Sequence, residues 1–453
     1  MKMKRTASQV TRRQFLKTAA AGGAFLAGAP FVRTSHAAGK LTVGIWDHWV
    51  PGANDASRKL MEDWAKKNRV DLTVDYITSI GFKQLLTIAA ESRAKTGHDL
   101  IGLPTFETAK YPESLEDVGD VVAQHIKTNG PLDPTAEYLG KIDGVWRSAP
   151  GPIGGHTYPM VSRVDYFKKY AGVDLKKIFP AGPKRDPKLV ATWNYDNFLT
   201  YCTKLNKAGH PFGNPIGPTS DSQDWLCPLF ASFDSFPMDA KGEITIDSPG
   251  TRAALAYMKK LTAVMSPDVY AWDDAGNHRW IISGKGSAIQ NPPSAWTVAK
   301  RDQIKTAAQM WHHDVPAGPN GSFRGALPRH WGVWNFAENK SAAKEMILHM
   351  LSKDSAYALI SASQGYDIPQ TESYRDHPIW SEIGPPKGGQ YNYPVRGDEK
   401  IIVGGYPAPP KMAALIYSQA LIPNMVAKHT SGGESVESVI KWAISELEGF
   451  QRG

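Results

Sequence analysis

The sequence predicts an α/β fold divided into two lobes, and three observations support this prediction. Short segments of alternating apolar residues are followed by segments with helical spacing, as in a largely parallel sheet covered by helices. The chain has 453 residues, more than the ~250–300 that one hydrophobic core accommodates. Residues 148–155 are rich in glycine and proline and lack helical periodicity, which predicts the first crossing between lobes.

The first lobe is predicted to open with two strand–helix units and a third strand. Its strands are indicated by alternation at Leu41, Val43 and Ile45, by alternation at Val70, Leu72 and Val74, and by the apolar residues 99–103. Helical spacing follows the first strand at Leu60, Met61, Trp64 and Ala65, and follows the second at Phe82, Leu85, Leu86 and Ala89. In such folds ligands bind beyond the carboxyl ends of the strands.

Helices with clear start signals follow the crossing. Asn194 is the predicted N-cap of one helix, and Ser248 caps another whose first residue is Pro249. A core-facing stripe is predicted at Ala343, Met346, Ile347, Met350 and Leu351, and a last one behind Ser435 at Val436, Val439, Ile440, Ile444 and Leu447.

Residues 1–37 have the features of a twin-arginine export signal. Arg12 and Arg13 stand before Phe-Leu-Lys, a mildly apolar stretch follows, and small residues end at Ala37. The apolar stretch is shorter than the ~20 residues of a membrane span and contains three glycines and a proline. We therefore expect cleavage near Ala37 and a soluble periplasmic product. No cysteine near Ala37 offers a site for a lipid anchor.

The charge of the chain is mostly a property of this signal. The full sequence has 52 basic and 44 acidic residues, and seven basic residues but no acidic ones fall within 1–37. The mature chain is therefore nearly neutral, which argues against nucleic acid as a partner.

Cofactors and metals are not indicated by the sequence. Cys202 and Cys227 are too few for a zinc quartet or an iron–sulfur cluster, and no nucleotide-binding or zinc-protease motif is present. His312 and His313 are adjacent, so on a strand they point to opposite faces. For the two cysteines we favour independent buried thiols, and a disulfide remains the alternative.

Several segments, in order, resemble the extracellular solute-binding proteins of family 1, which include maltose-, other sugar- and glycerol-phosphate-binding proteins. The segments that carry the resemblance are the crossing before Tyr158, residues 165–172, Thr192-Trp193, residues 246–249, residues 282–288, Gly332-Val333-Trp334 and residues 364–369. The loop 46–54 is richer in aromatic residues than the family pattern. The resemblance therefore predicts the fold but leaves the identity of the ligand open.

The resemblance implies a type II-like periplasmic-binding-protein fold with hinge crossings and a ligand cleft between the lobes. Residues 38–150 would form the first lobe, with about 285–340 returning to it. Residues 151–284 would form the second, to which about 341–453 would largely return. The implied function is to bind a sugar or polyol as a monomer and to deliver it to an inner-membrane ABC permease, without catalysis.

Sugar receptors combine aromatic platforms with planar hydrogen-bonding groups, and both occur together in predicted loops. The candidate ligand-binding residues are Trp46, His48, Trp49, Asp221, Trp225, Trp272, Asp273, Asp274, Asn291, Ser294, Trp296, His330 and Trp331. Tryptophans are commonly core residues, so packing is the alternative role for Trp49, Trp296 and Trp331. The alternative function is a secreted glycoside hydrolase or lyase that uses Asp273 and Asp274 as acid and base.

Overall fold

The computed structural model describes residues 39–50, 52–151, 157–181, 185–378 and 398–452. The predicted export signal, residues 1–37, lies outside these residues, as do residues 152–155 of the Gly/Pro-rich crossing. No helix of the described segments is long and apolar enough to cross a membrane.

The strands of the described segments are numbered in chain order. They are β1 (Gly39–Trp46), β2 (Val70–Ile77), β3 (Leu100–Pro104), β4 (Lys141–Ile142), β5 (Val145–Trp146), β6 (Ala149–Pro150), β7 (Thr157–Tyr158), β8 (Met160–Arg163), β9 (Ala288–Gln290), β10 (Met310–His313), β11 (Phe323–Ala326), β12 (Arg329–Val333) and β13 (Lys400–Ile402).

The α-helices are numbered in the same way. They are α1 (Ala53–Asn68), α2 (Lys83–Ala94), α3 (Glu107–Lys110), α4 (Gly119–Asn129), α5 (Pro134–Gly140), α6 (Val164–Tyr166), α7 (Leu175–Ile178), α8 (Pro187–Val190), α9 (Tyr195–Lys207), α10 (Ser220–Ser232), α11 (Pro249–Thr262), α12 (Gly276–Ile282), α13 (Ser294–Asp302), α14 (Ile304–Ala307), α15 (Lys340–Met350), α16 (Lys353–Ala362), α17 (Pro410–Ser418), α18 (Leu421–Thr430) and α19 (Val436–Arg452).

The first lobe is built on a five-stranded sheet in the order β2-β1-β3-β12-β6. β1 pairs in parallel with β2 and β3, and β12 runs antiparallel to β3 and β6. The apolar residues that alternate along β1 are buried with one face of α1 and with the stripe of α15. The predicted alternation in β1 and β2 and the stripe of α15 are thereby confirmed.

The second lobe contains two three-stranded sheets and the largest buried cluster. β8 lies between β9 and β10, and β11 lies between β7 and β13. Helices α9, α10, α11, α18 and α19 pack on one another beside these sheets. The predicted caps are confirmed, because the Asn194 Oδ1 accepts from the Asn197 N–H at 3.0 Å and the Ser248 Oγ accepts from the Thr251 N–H at 3.1 Å.

The strand pairing divides the chain differently from the sequence-based boundaries. β9 and β10, within residues 285–340, pair with β8 of the second lobe, and only β12 returns to the first sheet. Helices α15 and α16 pack on α1, although residues 341–453 were expected largely in the second lobe. Periodicity identifies the buried face of an element but not the sheet that it covers. We propose that residues 39–150 with 329–378 form the first lobe, and residues 157–328 with 398–452 the second.

The predicted stripe of α2 is not the buried face of that helix. Phe82 is 53% and Leu86 64% exposed, whereas Gln84 and Glu91 are buried. The Gln84 Nε2 donates to the Gly102 carbonyl at 3.1 Å, and Glu91 accepts the Trp334 indole N–H at 2.9 Å. The buried face therefore carries Gln84 and Glu91 beside Ile88, with the polar groups paired inside, and Leu86 lies on the exposed face.

Both cysteines are free thiols in the described structure. Cys202 and Cys227 are buried and unbridged, which confirms the interpretation that we favoured over a disulfide. The Cys227 thiol contacts the Gln223 Oε1 at 3.5 Å.

Candidate functional site

A cavity of about 540 Å³ lies between the two lobes. This volume is within the ~300–1,000 Å³ range of small-molecule sites. Its first-lobe wall includes Trp46, Trp49, Gln84, Leu85, Arg329 and Tyr366, and its second-lobe wall includes Thr219, Asp221, Asp274, His278, Asn291 and Tyr417. Many of these residues follow a strand or begin a helix, which is where α/β folds place ligand sites.

The first-lobe wall contains a cation held against an aromatic ring. The Arg329 guanidinium lies over the Trp46 ring at 4.0 Å, and its Nη1 donates to the Gln84 Oε1 at 2.9 Å. The Trp46 indole N–H donates to the Ser79 Oγ at 3.3 Å. Burial lowers the pKa of Arg329 to about 10, so its guanidinium remains charged at neutral pH.

A second aromatic contact joins the lobes across the cavity. The half-buried Trp49 of the first lobe lies edge-to-face with the ring of His278 in α12, with 5.9 Å between centroids. The His278 Nε2 is 2.9 Å from the Asn291 Nδ2 and 3.2 Å from the Ser294 Oγ. Burial lowers the pKa of His278 to about 4. The imidazole is therefore neutral, and its Nε2 can accept the amide hydrogen of Asn291.

The second-lobe wall contains three carboxylates around the start of α10. The backbone N–H of Asp221 donates to the Asp274 Oδ1 at 3.2 Å, and the Asp221 Oδ2 accepts from the Asn277 Nδ2 at 2.7 Å. Asp224 lies about one turn further along α10 and accepts from the Tyr417 hydroxyl at 3.2 Å. Asp221 and Asp274 line the cavity, and Asp224 is completely buried behind them.

These carboxyl groups have raised pKa values. Burial raises the pKa of Asp221 well above its usual range, and the neighbouring charge of Asp274 adds to this shift. Burial likewise raises the pKa of Asp224, with a contribution from Asp221, and burial raises the pKa of Asp274. Three close carboxylates thus resist simultaneous ionisation.

Glu107 is a further acid of the cavity wall. Its Oε1 accepts from the Lys110 ammonium at 2.8 Å within α3. Its buried Oε2 has no hydrogen-bond partner, and the residue is 5% exposed. Burial raises the pKa of Glu107 above its usual range.

Of the thirteen residues predicted for the site, the structure brings six together around the cavity. Trp46 and Trp49 lie in the first-lobe wall, and the other four lie in the second: Asp221, Asp274, Asn291 and Ser294. Each lies at or close to the end of a strand or the start of a helix, as the sequence argument required.

Three predicted tryptophans lie in the core instead, away from the cavity lining. Trp225 is 1% exposed and its indole donates to the Pro215 carbonyl at 2.7 Å. Trp296 is fully buried beneath the ammonium of Lys300, and Trp331 is 3% exposed in the core of the first sheet. Their side chains point to the buried side of α10, α13 and β12, which the sequence positions of these residues did not reveal.

The other four predicted residues also lie outside the main cavity lining. Trp272 packs against Trp280, and the exposed Asp273 pairs with Arg279 at 2.7 Å. His48 accepts the Val50 N–H at its Nδ1, and His330 lies between Ser148 and Gln370. The two histidines are buried and support the walls from behind.

Several lining residues were missed in the sequence. Glu107 follows β3, so its position beyond the carboxyl end of a strand was a signal that could have found it. Arg329 begins β12 and reaches the same edge only because β12 runs antiparallel to β3, which the sequence does not show. Gln84, His278 and Tyr417 lie on helices without such a signal, and only the packing of the lobes brings them to the cavity.

The described segments contain no group of three or more His, Cys, Asp or Glu residues able to hold a metal ion. His312 and His313 lie in β10, and burial lowers the pKa of each to about 3. Both rings are therefore neutral at physiological pH.

Solved structures with the same fold come from several bacteria. Maltose-bound MalE3 of T. maritima is 18% identical, with 91% of this chain and 99% of that chain covered and a TM-score of 0.69. A sugar transporter protein of Arthrobacter chlorophenolicus A6 with bound laminaribiose is 15% identical, with 90% and 99% covered and a TM-score of 0.70. The GacH receptor of Streptomyces glaucescens GLA.O, solved unliganded and with acarbose, is 17% identical, with 91% and 98% covered and a TM-score of 0.68.

The family of the chain follows from its sequence. No curated protein matches the chain. A family model for the bacterial extracellular solute-binding proteins matches residues 59–383, and this region includes most of both lobes and most of the cavity wall. On this match, and with a two-lobed fold that agrees with it, the chain belongs to the family of bacterial extracellular solute-binding proteins.

Proposed function

We propose that this protein is the periplasmic receptor of an ABC importer and that it binds a sugar-like solute in the cavity between its lobes. The observation that carries the proposal is a cavity lined from both lobes by aromatic and planar hydrogen-bonding side chains. They include Trp49, Gln84 and Arg329 of the first lobe and His278 and Asn291 of the second. Aromatic faces match the C–H faces of a sugar, and amide and guanidinium groups match its hydroxyls.

The similar structures support this solute class, since they contain maltose, laminaribiose or acarbose. A solute held by both walls binds the closed form more tightly than the open form, and this difference drives closure. The closed monomer then delivers the solute to an inner-membrane permease. Export by the twin-arginine pathway and cleavage near Ala37 complete the proposal.

We propose no catalytic step. The enzymatic alternative required Asp273 and Asp274 to act as a pair on one substrate. Asp274 lines the cavity, but Asp273 is exposed and paired with Arg279. The two carboxyl groups therefore face different surroundings.

The test is calorimetric titration of the mature chain with maltose, laminaribiose and cellobiose, followed by chromatography of the sugar after long incubation. We expect saturable binding of one sugar per chain and recovery of the sugar unchanged. Product that accumulates with time, or the absence of binding by every sugar in a wider saccharide and polyol screen, contradicts the proposal.

A further inference from the structure

The second-lobe wall of the cavity contains three carboxyl groups whose partners are neutral. Asp221 accepts from the amide of Asn277, Asp224 from the hydroxyl of Tyr417, and Asp274 from a backbone N–H. Within the described segments, none of the three forms an ion pair with a lysine, arginine or histidine. This wall therefore holds acidic groups without a cation to balance them.

The cations of the same cavity are engaged elsewhere. Arg329 lies on the opposite wall over Trp46 and bonds to Gln84. Lys110 is paired with Glu107. When water leaves the cleft on closure, uncompensated carboxylates become costly, so the wall must take up protons or a cation from the ligand.

A separate observation in the same cavity also points to a donor-rich ligand. Glu107 is 5% exposed, lines the cavity, and has a buried Oε2 without a hydrogen-bond partner. Buried acceptors are normally satisfied. Because the Oε1 of Glu107 already accepts from Lys110, a donor from a solute in the cavity can supply the partner that its Oε2 lacks.

We infer that Asp221 and Asp274 form a subsite for a protonated amine, so that the solute is an amino-bearing saccharide. This inference rests on the proposed function and names the solute class. A sugar hydroxyl offers one donor and no charge. An ammonium group offers three donors and one positive charge, so it can bond to more than one carboxylate and balance the wall.

The experiment compares disaccharides that share one skeleton. The mature protein is titrated at pH 6.5 with the β-1,4 dimer of glucosamine, with its N,N′-diacetyl form, and with cellobiose. We expect the amine to bind at least tenfold more tightly than either neutral sugar. Asp221→Asn and Asp274→Asn should each bring the ratio of amine to cellobiose affinity close to one.

The matched control is Asp273→Asn, which removes the same charge from an adjacent, exposed residue outside the cavity lining. It should leave the affinity ratio unchanged. Spermidine is a separate arm, because it provides amines without a sugar. If spermidine alone binds, the amine subsite stands and the saccharide class is wrong.

The outcomes separate the inference from the proposed function. Cellobiose binding as tightly as the glucosamine dimer, or an unchanged ratio in both cavity variants, overturns the amine subsite and leaves a neutral-sugar receptor. If none of the three disaccharides and no spermidine binds, the amine subsite is overturned, and the proposed function is overturned as well if the wider saccharide and polyol screen also finds no ligand. Melting curves of the apo variants identify any variant that is not folded, and the other cavity variant then decides.

Discussion

Trp46 and Trp49 are only three positions apart but have different surroundings. Trp46 is 3% exposed and its ring faces the guanidinium of Arg329 at 4.0 Å. Trp49 is half-buried, and its ring meets His278 across the cavity only edge-to-face, at 5.9 Å. A ring that is already covered offers little surface for stacking, so Trp49 is the better placed to stack on a solute.

We therefore predict opposite behaviour for two tryptophan substitutions. Trp49→Ala should weaken sugar binding by ~1–3 kcal/mol, as for a contact residue, with little loss of apo stability. Trp331→Ala should cost ~3–5 kcal/mol of folding stability, because a buried ring leaves a cavity. Calorimetric titration and apo melting of both variants measure the two effects. If Trp49→Ala instead lowers the apo melting temperature and leaves the affinity intact, Trp49 is a core residue.

The pH dependence of stability should report the buried acid Asp224. The titratable groups around it are Asp221 in its own helix, Asp274 before α12, Tyr158 in β7, Tyr417 in α17, and the thiol of Cys227. Burial raises the pKa of Asp224, so the folded state keeps a proton that the unfolded chain releases near pH ~4. The stabilisation from this proton is complete below pH ~4 and is lost as pH rises through the folded pKa.

Asp224→Asn should therefore stabilise the apo protein more at pH 8 than at pH 4. Each unit by which the pKa is raised corresponds to ~1.4 kcal/mol, reduced by the weaker acceptance of the Tyr417 hydroxyl. Urea unfolding of both proteins at the two pH values measures the difference. Asp273→Asn is the control, since Asp273 is exposed. If the free energies of unfolding of Asp224→Asn and wild type differ by the same amount at both pH values, the pKa of Asp224 is not raised in the folded state.

Helix α10 packs directly against strand β11 at Gly325. A Cβ atom added to Gly325 in β11 would lie 2.0 Å from the Asp224 carbonyl oxygen, a backbone atom that cannot yield. The glycine thus lets the strand pass directly beneath the helix that carries Asp221 and Asp224. The position of the acidic wall depends on this contact.

Gly325→Ala should force α10 away from β11 and destabilise the protein by ~1–3 kcal/mol, as overpacking does. Solute affinity should fall as well, because Asp221 moves with the helix. Gly449→Ala in α19 is the control: no atom lies within 4 Å of its added Cβ, and alanine favours helix by up to ~1 kcal/mol. Denaturant unfolding and titration test both variants. Wild-type stability in Gly325→Ala contradicts the close-packing argument.

Helices and strands were predictable where their features depend on residues that are close in sequence. The residues of the site were predictable only in part. Caps such as Ser248 and the stripe of α15 depend on neighbouring residues in the sequence. The orientation of α2 depends on partners that are distant in sequence, such as Gly102 for Gln84. Whether a tryptophan near a strand end faces the cavity, as Trp49 does, or the core, as Trp331 does, depends on the same kind of distant packing.

For the whole molecule, the two walls of the cleft differ in charge. The first lobe presents Arg329, and the second presents Asp221 and Asp274. Closing the cleft takes these groups out of water, which is costly unless each of them finds a partner. A solute between the walls must satisfy both, which requires hydrogen-bond acceptors near Arg329 and donors near the acids.

The segment before the first lobe contains the predicted export signal. Arg12 and Arg13 precede Phe15, Leu16 and Lys17, and recognition of an arginine pair depends on guanidinium geometry that lysine lacks. Replacing both arginines with lysine keeps the positive charge of the segment. If export required only this charge, the double variant would still be exported. We expect the double variant to stay in the cytoplasm at its full length, while the parent chain reaches the periplasm shortened near Ala37. Cell fractionation with mass spectrometry of the N-terminus measures both properties, and Lys2→Arg is the control for a basic residue outside the pair. Undiminished periplasmic material from the double variant would mean that the arginine pair is not the signal.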